Sequence, residues 1–411
     1  MSEIRIGVIG YGERARHMAH QIVSREPGVR LTSIADPNHE AIRAKLIDDG
    51  TDVSGIVFYA NADDMLDRER LDGVLVSTRC GLHATMGCKV LSRGLALFLE
   101  KPIATNLADL AMLRDAATAS SKVVVSFPLR QSTIVNLARE IIESGKIGTV
   151  EHVQAWNNVP YGDVYFQSWY RDENETGGLF LQKATHDFDY INSLLGDNKP
   201  RVISALTSKQ IFKGDHPAGL RCMDCSEKRS CYESPYHPSR SYPLPLSEPS
   251  KSMCSFAVDT GNEDSGSALV QYESGMHMVY SQNFFARNKS QKRGATLLGY
   301  HGTIEFDWYT GQLKVLMHHT QRVETYEFDG AGGHGGGDQV LASNFIKVIR
   351  GEEESLAPLD AGITSVLMCL KARESAATHT FQDIAFPPAG TPIRQEHKAG
   401  YDAAVVVGTR S

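Results

Sequence analysis

No run of about 18 consecutive apolar residues occurs in the 411-residue chain, so no segment has the makings of a membrane-crossing helix. A cationic excess is missing as well. The 42 basic and 49 acidic side chains give a formal charge of −7, which argues against a nucleic-acid-binding face. The start, Met1-Ser2-Glu3 followed by Ile4–Ile9, lacks the basic and long apolar regions of a signal peptide. Cysteine is sparse and odd in number, seven in all, which without an export signal predicts reduced thiols. Internal repeats are absent. With 41% hydrophobic and 22% charged residues, the chain can bury a full core. These readings predict a soluble, cytoplasmic protein of two or three domains that binds neither nucleic acid nor membrane.

The first part of the chain alternates short apolar runs with helical patterns, as a parallel sheet wound by helices does. Strands are predicted at residues 4–9, 31–35, 73–77, 95–99 and 123–127. After Phe127 the texture changes. A helix through Ile134, Leu137, Ala138, Ile141 and Ile142 ends at Gly145, and β-like runs follow at 150–155, 202–206, 267–272, 276–281, 296–300, 302–306 and 313–318. Few helices separate the later runs, so this sheet is predicted to be mostly antiparallel. Late helices are expected over 338–350 and 361–376. The predicted fold class is α/β, with a dinucleotide-binding domain over 1–127, a second α/β domain over 128–386 built on a large open sheet, and a tail from 387 to 411. Residues from about 212 to 256 stand apart, with six prolines and four of the seven cysteines.

Strand 4–9 leads into Gly10-Tyr11-Gly12-Glu13-Arg14-Ala15 and then a helical pattern. This G-x-G-x-x-A pattern between strand and helix suits a dinucleotide. Gly10 permits the tight turn, Gly12 lets backbone N–H groups approach a pyrophosphate, and the small Ala15 lets the helix pack on the strand. The next strand ends in Asp36, placed to accept from the adenosine ribose hydroxyls and to repel a 2′-phosphate, so NAD is predicted over NADP. Strand 95–99 delivers Glu100-Lys101-Pro102 at its carboxyl end, where ligands of open α/β sheets gather. A lysine near a cationic nicotinamide ring has a pKa lowered toward proton transfer.

Gly10–Ala15, Asp36, Thr78 with His83 five residues on, and Glu100-Lys101-Pro102 occur in the order typical of the Gfo/Idh/MocA oxidoreductases, which this chain resembles. So do Arg130 in Ser126-Phe127-Pro128-Leu129-Arg130, the turn at 144–148, Gly177-Gly178, and Lys183-Ala184-Thr185-His186-Asp187-Phe188-Asp189. The resemblance runs from residue 4 to about 380. It implies an N-terminal Rossmann domain, a C-terminal domain with a large open sheet, NAD(P)-linked oxidation or reduction of sugars, inositols and their derivatives, and oligomers, dimers or tetramers, formed through that sheet. It places Lys101 and His186 at the reacting carbon. It assigns Gly10, Gly12, Glu13, Arg14, Ala15, Asp36, Thr78, His83, Glu100 and Lys101 to the cofactor, and Arg130, Gln182, Lys183, His186 and His334 to the substrate. Two departures stand out. Gln182 replaces the carboxylate that many members carry four residues before the histidine, which shifts acid/base work to Lys101, Lys183 or His186. Arg79-Cys80 follows Thr78 where Pro-Asn is common.

Gly332-Gly333-His334-Gly335-Gly336-Gly337-Asp338 precedes an amphipathic helix, with Asp338 in a position to cap it. Such a run costs ordering entropy, which a binding role would justify. It is similar to a His-Gly-Gly-Gly-Asp loop of one branch of the family, which would aim His334 into the sugar cleft. Cys222, Cys225, Cys231 and Cys254 are candidate ligands of a structural zinc, with reduced thiols or disulfides as the alternatives. The function expected is an NAD-dependent dehydrogenase of a carbohydrate or cyclitol. A redox-neutral glycosidase or lyase working through a transient keto-sugar, and a non-catalytic sugar or dinucleotide sensor, are the rivals.

Overall fold

The computed structural model describes residues 3–240, 248–328 and 333–387. The predicted tail lies almost wholly outside them. Six parallel strands, β1 (Ile4–Ile9), β2 (Val29–Ala35), β3 (Val57–Tyr59), β4 (Gly73–Val76), β5 (Ala96–Leu99) and β6 (Val123–Val125), form a sheet in the order 3-2-1-4-5-6. β4, β5 and β6 are buried at every position, as expected where helices cover both faces of a parallel sheet. β3 was not anticipated, because one exposed and two half-exposed residues carry too little pattern. The strand order reverses between β1 and β4, so a crevice opens at their carboxyl ends, beside Gly10, Ser77 and Glu100.

The second sheet has nine strands. They are β7 (Val150–Asn158), β8 (Pro200–Ser208), β9 (Ser265–Tyr272), β10 (His277–Asn283), β11 (Lys292–Gly299), β12 (Gly302–Asp307), β13 (Gln312–Met317), β14 (Val323–Glu327) and β15 (Gln382–Asp383), in the order 14-13-12-11-7-10-9-8-15. All neighbours are antiparallel except β7 and β10. Alternation along β9 and β10 buries one face, including Val270, Met278 and Tyr280. The other face leaves Leu269 and Val279 exposed. Helices Thr185–Leu195 and Leu359–Thr378 share the buried core with the inner face.

Helix Gly337–Arg350 returns to the first sheet. Phe345 meets Phe98 edge-on at 5.5 Å between ring centroids. The closeness explains Gly73: a Cβ there would lie 2.8 Å from Ile349 Cδ1 and 2.9 Å from Phe345 Cζ. The proline-rich insert has no sustained period of its own but borrows a core. Phe212 packs on Phe166 at 4.1 Å between centroids, within a small apolar cluster that includes Tyr165 and Phe284. Arg240 and Asp163 form a buried ion pair that pins the insert to the domain.

Candidate active site

The cofactor half of the site begins at the end of β1. Gly10 has φ +80°, and a Cβ there would lie 2.8 Å from the Ser77 carbonyl oxygen and the Thr78 backbone, so only glycine fits. Gly12 caps helix Glu13–Arg25 with no side-chain hydrogen bond, which leaves the first N–H groups of the helix facing outward. A Cβ on Gly12 would meet no atom within 4 Å. That open space at a helix N-terminus fits a pyrophosphate, which both the free N–H groups and the helix dipole attract. Asp36 Oδ2 accepts from the Tyr11 N–H at 3.0 Å and Oδ1 from the Asn38 N–H at 2.8 Å, fixing the carboxylate at the ribose end of the cradle. The chain therefore fits a dinucleotide. Gly12→Val should fill the cradle and abolish measurable NADH binding by fluorescence titration, with the thermal transition unchanged. Asp36→Ala should weaken NAD and narrow its margin over NADP.

Other residues expected at the cofactor have different work. Arg14 Nε donates to Glu100 at 2.7 Å, and its terminal nitrogens donate to Asp338 at 3.0 and 2.6 Å and to Ser126 at 2.9 Å. It ties the phosphate loop to the late helix rather than reaching for phosphate. Glu100 is buried and accepts from both Arg14 and Ser126, so it too belongs to this network. His83 is buried with its ring nitrogens 2.7 Å from the Pro102 oxygen and 3.1 Å from the Thr78 oxygen, which makes it a brace between two loops. Burial lowers its pKa, so the ring stays neutral. Glu13 is exposed in the first helical turn, and Thr78 Oγ1 donates to the Arg79 oxygen at 3.1 Å. Ala15 is fully buried, as a small residue at a helix–strand contact should be.

The reaction half gathers at the end of β5. Lys101 Nζ donates to the Gln182 backbone oxygen at 2.8 Å, and the Lys101–Pro102 peptide is cis. Burial, aided by the nearby Lys183 cation, pulls the Lys101 amine down to about 8. Residues Phe180–Ala184 wind as a single π-turn, held at its start by the Glu263 carboxylate, which accepts from the Leu179 and Phe180 N–H groups at 2.9 and 3.0 Å. Such turns are frequent at functional sites. The turn feeds His186 into helix Thr185–Leu195. His186 is 6% exposed, packs edge-on against Phe127, and has no partner for Nδ1 among the described residues. Burial, with Lys101 and Arg293 nearby, holds it well below the ordinary histidine range. Lys183 Nζ donates to the Tyr161 hydroxyl at 2.6 Å. Burial alone would raise that phenol, but the Lys183 and Arg293 cations reverse the effect and lower it. The His334 ring stands 5.9 Å from that of His186.

Three expectations need correction. Arg130 does not offer its guanidinium to a substrate: Nε and Nη2 bind Asp189 at 2.9 and 2.6 Å, and Nη1 donates to the Leu356 oxygen at 2.9 Å. Gln182 turns its side-chain amide to the Thr176 oxygen at 2.8 Å and to Cys80 Sγ at 3.5 Å, leaving its backbone oxygen as its contribution to the site. Asp338 is not the helix cap. Gly336, at φ +85°, occupies that position without a side-chain bond, and the aspartate serves Arg14 and His334 instead. Gly337 is required because a Cβ there would lie 1.8 Å from the Pro128 oxygen.

The zinc expectation is also not supported. Cys222, Cys225, Cys231 and Cys254 line one cavity of about 340 Å³. Yet no three His, Cys, Asp or Glu side chains among the described residues are placed to hold a metal ion. Cys222 Sγ instead donates to the Met253 oxygen at 3.3 Å, and Cys254 Sγ lies 3.2 Å from His216 Nδ1. Burial and the neighbouring thiols push Cys222 up to about 12, and all seven cysteines are free thiols. Tyr161, Glu263 and the contact of His334 Nδ1 with the Asp338 carboxylate are not foreseen from sequence. The four-residue spacing of His334 and Asp338, a helical neighbour distance, was the one available signal.

A doubly wound parallel sheet with an open phosphate cradle, facing a half-buried lysine and a buried histidine, defines a dinucleotide-dependent oxidoreductase. The family model described as an oxidoreductase family with an NAD-binding Rossmann fold matches residues 4–127, and the GFO/IDH/MocA C-terminal domain matches residues 135–305. The chain belongs to the Gfo/Idh/MocA family of NAD-binding oxidoreductases. YteT of Bacillus subtilis (strain 168), designated an oxidoreductase, is 29% identical over 316 residues, 68% of this chain and 73% of that protein. Inositol 2-dehydrogenase of Rhizobium meliloti (strain 1021) is 28% identical over 219 residues, 53% of this chain and 62% of that one. A levoglucosan dehydrogenase solved with NADH and levoglucosan shares the fold, with a TM-score of 0.73 at 17% identity over 94% of this chain and 100% of that one. No helix among the described residues is long and apolar enough to cross a membrane.

Proposed function

We propose that the protein oxidises a CH–OH group of a carbohydrate or cyclitol with NAD. The observation that carries this reading is the placement of the Lys101 amine at the mouth of the dinucleotide crevice, directly after strand Ala96–Leu99 and bonded to the Gln182 oxygen of the turn that leads to His186; its surroundings lower its pKa. Nicotinamide, when bound, supplies the hydride acceptor. Lys101 in its neutral form takes the hydroxyl proton as the carbonyl forms. His186, held neutral, orients the same hydroxyl through its unpartnered Nδ1. Lys183 and Tyr161, joined by their short hydrogen bond, form a second proton-carrying pair at the cleft wall. NAD is preferred over NADP because Asp36 would repel a 2′-phosphate. The inositol and levoglucosan enzymes among the similar proteins support a polyhydroxylated substrate. The exposed Leu269 and Val279 of the open sheet support assembly as a homodimer or homotetramer, and seven reduced thiols suit a cytoplasmic setting.

A panel of sugars, inositols and glycosides, followed by NADH absorbance and by product analysis, tests the reading. Steady NADH accumulation with a ketone product is the expected result. Product without net NADH would replace it with redox-neutral elimination, and binding without turnover would leave a sensor.

A further inference from the structure

Five basic side chains are buried among the described residues, and four of them have a carboxylate partner. Arg130 binds Asp189 at 2.6 Å, Arg171 binds Asp259 at 2.6 Å, Arg293 binds Asp187 at 2.8 Å and Lys371 binds Glu374 at 2.7 Å. Lys183 is the exception. It is 7% exposed, and its ammonium donates to a phenol, the Tyr161 hydroxyl, at 2.6 Å. Its Nζ also stands 4.5 Å from the ring centroid of Tyr161 and 5.3 Å from that of Tyr165. An enclosed cation without a counter-charge is costly, and a functional site is where such a cost is tolerated. The acids of the site are already engaged. Asp187 accepts from Arg293, Asn157 and Tyr280, each at 2.8 Å. Glu263 accepts from the Leu179 and Phe180 N–H groups, and Glu100 from Arg14 and Ser126. Gln182, beside Lys183, is uncharged and turned to the Thr176 oxygen. The surplus of positive charge is felt around the cleft. Burial lowers His186, and the Lys101, Arg293 and Lys183 cations push it the same way. Tyr161 is 40% exposed, so the Lys183–Tyr161 pair stands at an open wall.

We infer that the substrate is an acidic sugar of the uronate type, whose carboxylate docks on Lys183 Nζ and the Tyr161 hydroxyl. Lys183 gives one of its three protons to Tyr161, which leaves two N–H bonds and the phenol O–H free to donate to an anion. A carboxylate, with two oxygens and a single charge, matches one cation and an adjacent neutral donor. A phosphoryl group carries nearly two charges and is ordinarily met by arginine forks or helix N-termini, neither of which this pair offers. The carboxylate anchors the sugar and takes no part in the redox step. Lys183 and Tyr161 keep their protons, and the hydroxyl proton of the oxidised carbon goes to Lys101. This inference rests on the dehydrogenase reading for the reaction, but not for the binding of the acid.

The test compares glucuronate, galacturonate and mannuronate with glucose, galactose and mannose on the full-length protein. Binding to the NADH complex is measured by calorimetry, and turnover with NAD by absorbance. The best acid should bind at least about 10-fold tighter than its neutral parent, the worth of a hydrogen bond to a charged group. Lys183→Met, which keeps the stem and removes the charge, should erase that margin with NADH affinity retained. Without ligand it should also unfold at a higher temperature than the wild type, because the enclosed charge is gone; a lysine kept for structure would give the opposite sign. Tyr161→Phe removes the second donor and should narrow the margin without erasing it. Equal binding of acids and parents, a margin that survives Lys183→Met, or tighter binding of glucose 6-phosphate than of any acid overturns the inference. A phenolate absorbance in the free protein at neutral pH overturns it too, since Tyr161 would then supply the missing charge. Acid binding that depends on Lys183 but yields no NADH keeps the inference and sinks the dehydrogenase reading. Oxidation of neutral sugars with no margin for the acids does the reverse.

Discussion

Lys101→Met should keep NADH binding and lose about 100- to 10,000-fold in turnover, the usual contribution of a positioned acid or base. Methionine matches the lysine stem in length and removes a cation whose Nζ makes one hydrogen bond, to the Gln182 oxygen. The fold should not suffer. The Lys101 pKa is lowered from 10.5 to about 8, so between those values the unfolded chain binds the proton and the folded chain does not. Stability therefore rises with pH across that window, and below it the enclosed ammonium is a cost that the methionine variant lacks. The rate has a sign of its own. Oxidation needs the neutral amine and should climb as pH rises through about 8, whereas ketone reduction needs the ammonium and should decline over the same range. Stopped-flow NADH traces at several pH values check both limbs. A methionine variant with near-normal turnover and the same pH profile would transfer the proton to Lys183.

Arg130→Met should destabilise the protein by about 3–5 kcal/mol, the range expected when one partner of a buried ion pair is removed. The side chains of Arg130 and Asp189 are 10% and 1% exposed, and both guanidinium bonds to the carboxylate are short. Without the arginine, Asp189 is left as a buried carboxylate whose burial already raises it to about 6. The lost bond to Leu356 also frees the segment leading into helix Leu359–Thr378. Urea denaturation measures the loss. A double change to Arg130→Met and Asp189→Leu should recover part of it, because the unpaired charge is gone. If the single variant unfolded at the wild-type midpoint, the arginine would be available to substrate after all.

The glycine turn at the end of β1 was legible from the chain alone, whereas Arg14, His83 and Glu100, expected at the cofactor too, are taken up by protein partners. Gly10, Gly12 and Asp36 act through their own backbone or their place at a strand end, and strand, turn and helix follow one another in the chain. Lys101 was legible for the same reason. The long strands of the second sheet could be read from alternation, while Val57–Tyr59, Val323–Glu327 and Gln382–Asp383 could not, since short or polar edge strands carry little pattern. The site residues that were misread share another cause. Asp338 has the spacing of a cap, but its partner Arg14 lies 324 residues away in sequence. Arg130 looked like a ligand for substrate until Asp189 was beside it, and His83 looked like a cofactor contact until Pro102 and Thr78 enclosed it.

By itself the sequence determined that this is a two-part α/β protein with a dinucleotide cradle and a lysine at its mouth. Those features rest on local periodicity, on glycines that only one backbone geometry accepts, and on short-range order along the chain. The tertiary structure alone decided which polar side chains face the cleft and which are consumed in holding it. A carboxylate or guanidinium is available for chemistry only if no buried partner claims it, and the partners of Arg14, Arg130, Gln182 and Asp338 are brought to them by folding across distant segments.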